Sequence, residues 1–308
     1  MRGVHVGGDV RPSRRSVLGL AALGVAGLAG CGAAGEPGGA AATGAAAGTS
    51  GSTGTPSTPT TSATTAPTTT ARRPATAAQM LARATVPVLC YHQVRAYEGG
   101  DSAYTRGNLV IPPRALAAQL DAIAAAGYTT ITPDTYWRHL QTGTGLPAKP
   151  VMLTFDDGKD NQALAGLPLL AERKMTATFF VMTVVIGNPG WMTKADVRRV
   201  ADAGMTIGSH TWDHHMVTTY TGDDWKTQFD KPRATLRALS GQDVLDLAYP
   251  YGAWNAAAFA PLKAAGYRAA YQLREDPIAP AAPQYTLRRI LAASDRTGAQ
   301  VVADLAAF

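Results

Sequence analysis

The sequence predicts an α/β fold of seven or eight parallel strands, arranged as a (β/α) barrel or as an open, doubly wound sheet. From residue 86 onward, short β-type segments alternate with helical segments, the pattern typical of parallel sheets. This region, residues 84–308, is long enough for one well-packed domain. In addition, the unusual polar residues directly follow strands, which is where such folds build their active sites.

The elements succeed one another regularly along the chain. The predicted strands are, in order, VPVLCYH, TTIT, PVMLTF, ATFFVMT, MTIGSH, DVLDLAYP, YRAAYQL and TLRRILA. The predicted helices are PPRALAAQLDAIAAAG, PDTYWRHLQTG, NQALAGLPLLAERK, TKADVRRVADAG, DDWKTQFDKPRATLRALSG, NAAAFAPLKAAG and GAQVVADLAAF. Thr193 and Gly204 mark the two ends of the fourth helix. Pro232 is expected to kink the fifth helix or to mark its true start.

The first 83 residues differ in composition from the rest. Residues 32–83 are mostly Ala, Thr, Gly, Pro and Ser, too small and polar for a core, which predicts a disordered linker. Residues 1–31 contain the pair Arg14 and Arg15, a short apolar run and then Cys31, which predicts an export signal. The segment LAGC resembles a bacterial lipobox, which implies export by the twin-arginine or general pathway and a lipid on Cys31 that anchors the protein to the outer face of the cell membrane. The alternative is an ordinary cleaved signal in which Cys31 has no role.

The charge distribution argues against nucleic-acid binding, and the cysteine count argues against a disulfide bond within the mature chain. The net charge is +6, but residues 1–80 hold six arginines and two acidic residues, so most of the excess lies outside the expected domain. The basic composition therefore gives no support for nucleic-acid binding. With Cys31 lipidated, Cys90 has no disulfide partner, and we expect it to be a small buried core residue.

Two groups of polar residues at strand ends suggest a metal site. Asp156 and Asp157 end the strand PVMLTF, and His210 and His214 stand four residues apart after MTIGSH. Two imidazoles and one carboxylate form a divalent-metal site that leaves positions open for water and substrate. Of the two adjacent aspartates, one can bind the metal while the other acts as a base, provided that the strand turns at Gly158. Taken alone, each group also has a structural explanation. The aspartates could cap the following turn or helix, and the spacing of the histidines could arise by chance.

These motifs resemble the NodB-type polysaccharide deacetylases, carbohydrate esterase family 4. The residues that carry the resemblance are TFDDG, HTWDH and YPYG, and VPVLCYHQV, ATFFV and LRRI are similar to the exported poly-N-acetylglucosamine deacetylase branch. The resemblance implies a distorted (β/α) barrel of about seven parallel strands and removal of acetyl groups from N-acetylglucosamine. It also implies Asp156 as catalytic base, Asp157, His210 and His214 as metal ligands, and the Tyr251 backbone N–H as a donor to the oxyanion. The implied metal is zinc, with cobalt, nickel or manganese as further candidates.

The chain departs from the family pattern at two positions. No histidine lies beyond His215, although the family usually takes its general acid from a late Leu-x-His motif, and Ala248 stands where an arginine usually opens the YPYG region. By elimination we expect His92, at the end of the first strand, to be the general acid. Arg289 in LRRI is expected to replace the missing arginine. The alternatives are a structural histidine at 92 and a core-rim arginine at 289.

Three functions remain open on the sequence alone. The first is a membrane-anchored, monomeric, metal-dependent N-deacetylase acting on a cell-wall or exopolysaccharide glycan. The second keeps the site but acts on carbohydrate O-acetyl esters, whose better leaving group has less need of an acid. The third is a weakly active glycan-binding lipoprotein. The complete set of base and ligand residues argues against this third function.

Overall fold

The computed structural model describes residues 73–273, 276–292 and 294–308. The expected export signal and residues 32–72 of the expected linker therefore lie outside the described residues. The strands are β1 (Val88–Tyr91), β2 (Gln93–Val94), β3 (Val110–Ile111), β4 (Thr129–Thr130), β5 (Pro150–Asp157), β6 (Thr178–Val181), β7 (Thr206–Ser209), β8 (Asp246–Ala248), β9 (Ala269–Tyr271) and β10 (Ile290–Leu291). The helices are α1 (Ala77–Arg83), α2 (Pro113–Ala125), α3 (Pro133–Thr142), α4 (Leu167–Glu172), α5 (Lys194–Asp202), α6 (Lys231–Ser240), α7 (Phe259–Ala264) and α8 (Gly298–Ala306).

The main sheet is parallel and curls into a distorted barrel, as predicted. Its strands follow the order β10-β1-β5-β6-β7-β8-β9, and β4 pairs with the start of β5. The curl brings the two ends of this order together, because Leu287, just before β10, accepts a hydrogen bond from the Gln272 N–H at 2.8 Å, just after β9. The strands are buried on both faces, as their continuous apolar segments require. A small separate pair, β2 and β3, was not predicted.

The register of the parallel strands places the carboxyl ends of β5, β6, β7 and β8 along one rim. Asp157 pairs with Val181, Val181 pairs with Ser209, and Ser209 pairs with Leu247. Residues that directly follow these strands therefore lie close together, although they come from distant parts of the sequence. This rim is the part of the fold that positions the candidate site.

Two predicted helices begin later than expected because each contains a proline. The regular helix α6 starts at Lys231, with Pro232 in its first turn, and a wider π-helical turn, Lys226–Asp230, precedes it. The segment NQALAGLPLLAERK divides in the same way into a π-helical turn, Gln162–Gly166, and α4. Proline lacks the N–H that the interior of a regular helix uses, so both helices resume with the proline in the first turn.

The folded domain starts before residue 84, which corrects the expected linker boundary. Helix α1 begins with a capping box in which the Thr76 hydroxyl accepts a hydrogen bond from the Gln79 N–H at 3.3 Å. Met80 is buried, and Arg83 donates to the Leu140 carbonyl at 2.8 Å. One bulky apolar residue and one arginine suffice to attach this alanine-rich segment to the domain. Within the described ranges, no helix has the length and apolar character needed to cross a membrane.

Candidate active site

All seven predicted site residues line one cavity of about 340 Å³ at the carboxyl rim of the barrel. They are His92, Asp156, Asp157, His210, His214, Tyr251 and Arg289. Each lies at, or within a few residues of, the end of a strand in the main sheet, except Arg289, which directly precedes β10. Parallel topology therefore accounts for the assembly of the site from five separate segments of the chain.

Asp157, His210 and His214 converge on one point. The Asp157 Oδ1 lies 3.6 Å from the His210 Nε2 and 3.4 Å from the His214 Nε2. The side chains of all three are within reach of one ion, since one donor atom from each lies within 4.8 Å of the others. Donors about 2.1 Å from a common tetrahedral ion are separated by roughly 3.4 Å. The three side chains thus fit a divalent cation in number, type and spacing.

The imidazoles are prepared to act as ligands. The His210 Nδ1 lies 2.8 Å from the Ala248 carbonyl oxygen, which can only accept, so this nitrogen carries a proton and the Nε2 is the ring nitrogen that faces Asp157. Burial and the neighbouring His210 lower the pKa of His214 to about 4. His214 is therefore neutral near pH 7, the form that binds metals.

Asp156 has a different environment from its neighbour. It is 2% exposed, and its two carboxylate oxygens each accept a hydrogen bond of 2.7 Å from Arg289, which is 1% exposed. Burial raises the pKa of the Asp156 carboxyl, but the charge and hydrogen bonds of Arg289, together with the neighbouring histidines, outweigh burial, and the pKa lies below the usual value. Asp156 is therefore held ionised and in one orientation. Arg289, which was expected to replace the missing arginine, is thus the arginine that contacts Asp156.

Cys90 is buried as predicted, but it also contacts the site. Its Sγ lies 3.4 Å from the Asp156 Oδ2, and burial raises the pKa of the thiol well above its usual value. The thiol is therefore protonated and donates to the carboxylate. Cys90, His92 and Asp156 form a second group of metal-ligand type. The guanidinium of Arg289 on both Asp156 oxygens disfavours a cation there, so we do not regard this group as a metal site.

His92 lies on the wall of the cavity next to Asp156. One of its donor atoms is within 4.8 Å of an Asp156 oxygen, and its Nδ1 is buried without a hydrogen-bond partner among the described residues. His215, by contrast, lies outside the cavity, where its Nδ1 pairs with the Asp213 Oδ2 at 2.8 Å. Of these two histidines, only His92 faces the site.

The backbone is strained around the ligands. Six non-glycine residues in the described ranges have a positive φ, and four of them are at this site: Asp157 at 82°, Thr211 at 64°, His214 at 66° and Tyr251 at 60°. Such conformations cost about 1–3 kcal/mol each and persist where the surrounding structure holds them. Gly158 follows with a φ of 83°, and a side chain there would place its Cβ 2.8 Å from the Val181 Cγ1. The tight turn that was expected at Gly158 is present.

Several residues of the cavity were not anticipated from the sequence. They are Cys90, Tyr104, Leu109, Tyr249, Leu273 and Leu291. Tyr104 belongs to an irregular connection between β2 and β3, so neither periodicity nor a motif marked it. The leucines resembled ordinary core residues, and Tyr249 belonged to the YPYG motif but was given no role of its own. Only the alternation of facing directions along a strand could have suggested Cys90, which lies two residues before His92.

Comparison with known proteins finds a family match and several similar proteins. Residues 143–270 match the polysaccharide deacetylase family, a stretch that contains β5 to β8 and ends within β9 but includes neither His92 nor Arg289. The Bacillus subtilis protein YxkH is 26% identical over 185 residues, 60% of this chain and 63% of YxkH. The peptidoglycan-N-acetylglucosamine deacetylase PgdA of Listeria monocytogenes is 28% identical over 164 residues, 50% of this chain and 34% of PgdA. The aligned parts thus span between about a third and just under two thirds of these relatives.

The fold comparison agrees with the family match. The structure of IcaB from Ammonifex degensii superposes with a TM-score of 0.60 at 26% identity, covering 72% of this chain and 97% of IcaB. The likeness therefore extends beyond the matched stretch to most of the described domain, including the barrel whose rim carries the site. The chain is therefore similar to polysaccharide deacetylases in sequence over residues 143–270, and similar to IcaB in fold over most of the described domain.

Proposed function

We propose that this protein is a metal-dependent hydrolase that removes N-acetyl groups from N-acetylglucosamine-containing polysaccharide of a cell wall or exopolysaccharide. One observation carries the proposal: two adjacent aspartates have separate environments in one cavity. Arg289 engages both oxygens of Asp156, whereas Asp157 faces His210 and His214. Hydrolysis of an amide at such a site requires a metal ligand and a free base near the same carbonyl group, and these two environments supply them.

We assign Asp157, His210 and His214 as ligands of a divalent cation. Two imidazoles and one carboxylate are typical of zinc sites with open positions, and cobalt, nickel and manganese are further candidates. When bound, the cation would supply Lewis acidity towards the acetyl carbonyl and lower the pKa of a water molecule. Neutral His214 and the fixed tautomer of His210 favour this assignment.

The remaining residues move protons and stabilise charge. Asp156, kept ionised by Arg289, accepts the proton of the attacking water as general base. The Tyr251 N–H donates a hydrogen bond to the carbonyl oxygen as negative charge develops on it. An amine anion is a very poor leaving group, so the nitrogen must be protonated before the C–N bond breaks, and we assign this step to His92. The products are acetate and a glucosamine residue with a free amine.

The substrate class follows from the relatives and from the cavity. PgdA is named for N-acetylglucosamine of peptidoglycan, and the cavity of about 340 Å³ combines apolar leucine walls with the charged groups of the site. An acetamido group offers a methyl for the apolar wall and a carbonyl for the polar groups. We therefore propose a glycan partner rather than a nucleic acid.

We further propose that the protein is exported and lipid-anchored, as a monomer, on the outer face of the cell membrane. The twin arginines, the short apolar run and Cys31 support this location, and a long Ala/Thr/Pro/Gly/Ser linker would let the domain reach a surrounding wall. A polymeric glycan substrate outside the membrane is consistent with such an anchor.

The test is acetate release by the full-length protein from N-acetylglucosamine oligomers, peptidoglycan and O-acetylated xylan. We expect release from the N-acetylated substrates after loading with zinc, and loss of release after chelation that reloading restores. Release from the xylan alone would favour the esterase. Release that resists complete removal of metal, verified by elemental analysis, would refute the metal-dependent reaction.

A further inference from the structure

Two tyrosines with exposed rings stand at the mouth of the candidate active site. Tyr104 is 65% exposed and Tyr251 is 62% exposed, and both line the cavity. Large aromatic side chains with so much open surface are few in the described domain, and a ring left in water loses the free energy that its burial would supply. Their position at one cavity therefore indicates a ligand rather than chance exposure.

The segments that carry the two tyrosines leave the sheet at strands that lie far apart around the barrel. Tyr104 lies in the connection that follows β1 and β2, and Tyr251 follows β8. Around the curled sheet, β1 and β8 are separated by β5, β6 and β7 in one direction. In the other direction they are separated by β9 and β10. A ligand whose reacting group enters the cavity would extend towards one ring on each side.

The connection that carries Tyr104, residues 95–109, is held rigidly. Arg95 forms two hydrogen bonds with Asp101, of 2.9 and 2.7 Å, which close the first half of the connection. Ser294, next to β10, bonds to the second half, since its N–H donates to the Gly107 carbonyl at 3.2 Å. The Tyr97 hydroxyl lies 3.0 Å from the Ser294 Oγ. A preformed connection can present an aromatic ring without a large ordering cost on binding.

Both rings have surface available for stacking. Among the described residues, the Tyr104 ring has no aromatic or cationic partner and its hydroxyl has no hydrogen-bond partner. The Tyr251 ring meets the His214 ring edge-on, with centroids 4.6 Å apart and planes at 69°, a contact that leaves most of the tyrosine exposed. The C–H face of a pyranose is apolar and weakly positive, whereas the face of an aromatic ring is negative.

We propose that Tyr104 and Tyr251 stack on sugar units on either side of the reacting residue, so that the protein acts on internal residues of a glycan chain rather than on short fragments. The inference rests on the proposed function. It adds the length of glycan chain that is recognised and the internal position of the sugar that reacts. Tyr104 is the better residue to test, because the backbone of Tyr251 is assigned to the oxyanion.

The experiment compares kcat/KM for N-acetylglucosamine oligomers of two and six units, using the zinc-loaded full-length protein. We expect the wild-type protein to prefer the hexamer. Tyr104→Ala should reduce the hexamer-to-dimer ratio roughly three- to tenfold, mainly through KM for the hexamer. Tyr104→Phe keeps the ring and should retain the ratio.

Leu164→Ala is the matched control, because Leu164 is also large, apolar and 61% exposed but lies outside the cavity. It should leave the ratio unchanged. A wild-type protein without length preference, an unchanged ratio in Tyr104→Ala, or an equal fall in Tyr104→Phe would each overturn the stacking role while acetate release still supported the proposed function. No acetate release from any N-acetylated glycan would refute the proposed function and the inference together.

Discussion

Replacing Arg289 by methionine should destabilise the protein by about 3–5 kcal/mol, the usual cost of removing one partner from a buried ion pair. The side chains of Arg289 and Asp156 are 1% and 3% exposed, so solvent screens their interaction little. Both carboxylate oxygens would lose a 2.7 Å hydrogen bond from a cation. For a domain of this size, each kcal/mol shifts the melting temperature by about 2–4 °C, so we expect a fall of roughly 6–20 °C.

The pH dependence of this effect has a definite sign. Burial raises the pKa of Asp156, Arg289 and the neighbouring histidines together lower it by more, and the folded pKa is therefore below the unfolded value. Such a group contributes stability above its unfolded pKa of about 3.9 and loses that contribution as the pH falls through the folded pKa. Without Arg289 burial is opposed only by the neighbouring histidines, so the carboxyl becomes protonated and neutral at a higher pH. The stability difference between wild type and variant should be largest near neutral pH and narrow in acid.

The assay is thermal unfolding followed by circular dichroism, with chelator present so that metal loss does not contribute. Arg237→Met is the control, because the Arg237–Asp243 pair is more than half exposed on both sides and such pairs contribute about 0–1 kcal/mol. Asp156→Leu combined with Arg289→Met should recover much of the lost stability, since no buried charge remains unpaired. If Arg289→Met melted within a degree of the Arg237→Met control at neutral pH, the pair would not be a buried ionic contact.

Three further predictions concern the site and the anchor. Asp157→Asn should reduce bound metal and acetate release together, whereas Asp156→Asn should retain metal and lose turnover; equal metal loss in elemental analysis would mean that the two roles are wrongly assigned. His92→Ala should slow amide cleavage by roughly 10²–10⁴-fold and slow cleavage of an activated acetyl ester much less, with metal content unchanged. Equal losses on both substrates would exclude a proton-donating role. Cys31→Ser should move the protein from the membrane fraction to the soluble fraction with activity retained, and a protein that stayed in the membrane would instead have an uncleaved signal helix.

The parallel fold and the metal-type residues could be predicted because their signals are local. The apolar run before Asp156 and Asp157 predicts a buried strand, and the two aspartates mark the end of that strand. The spacing of His210 and His214 after another strand adds a second set of ligands at that same edge. The rule that parallel strands gather their carboxyl ends on one rim then brings these residues together without knowledge of the packing.

Contacts that depend on how the barrel closes have no local signal in the sequence and were harder to predict. Arg289 reaches Asp156 across 133 positions of the chain, because β10 pairs with β1 and β1 pairs with β5. Composition distinguishes such an arginine poorly from one on the core rim. The helix α1 was missed for a different reason: its alanines resemble the linker, and it is attached to the domain by long-range contacts of Met80 and Arg83 that the sequence does not reveal.

The different environments of Asp156 and Asp157 follow from the geometry of the strand that carries them. Successive residues of a strand face opposite ways, so an ideal strand would separate the two carboxylates. Asp156 still has strand geometry and points inwards to Arg289, whose positive charge balances the carboxylate in the core. At Asp157 the backbone changes to a φ of 82°, and this turn directs the second carboxylate towards His210 and His214 at the same cavity. The strain at the end of β5 thereby gives two identical side chains two different chemical roles, which explains why buried carboxylates are tolerated at the end of a core strand.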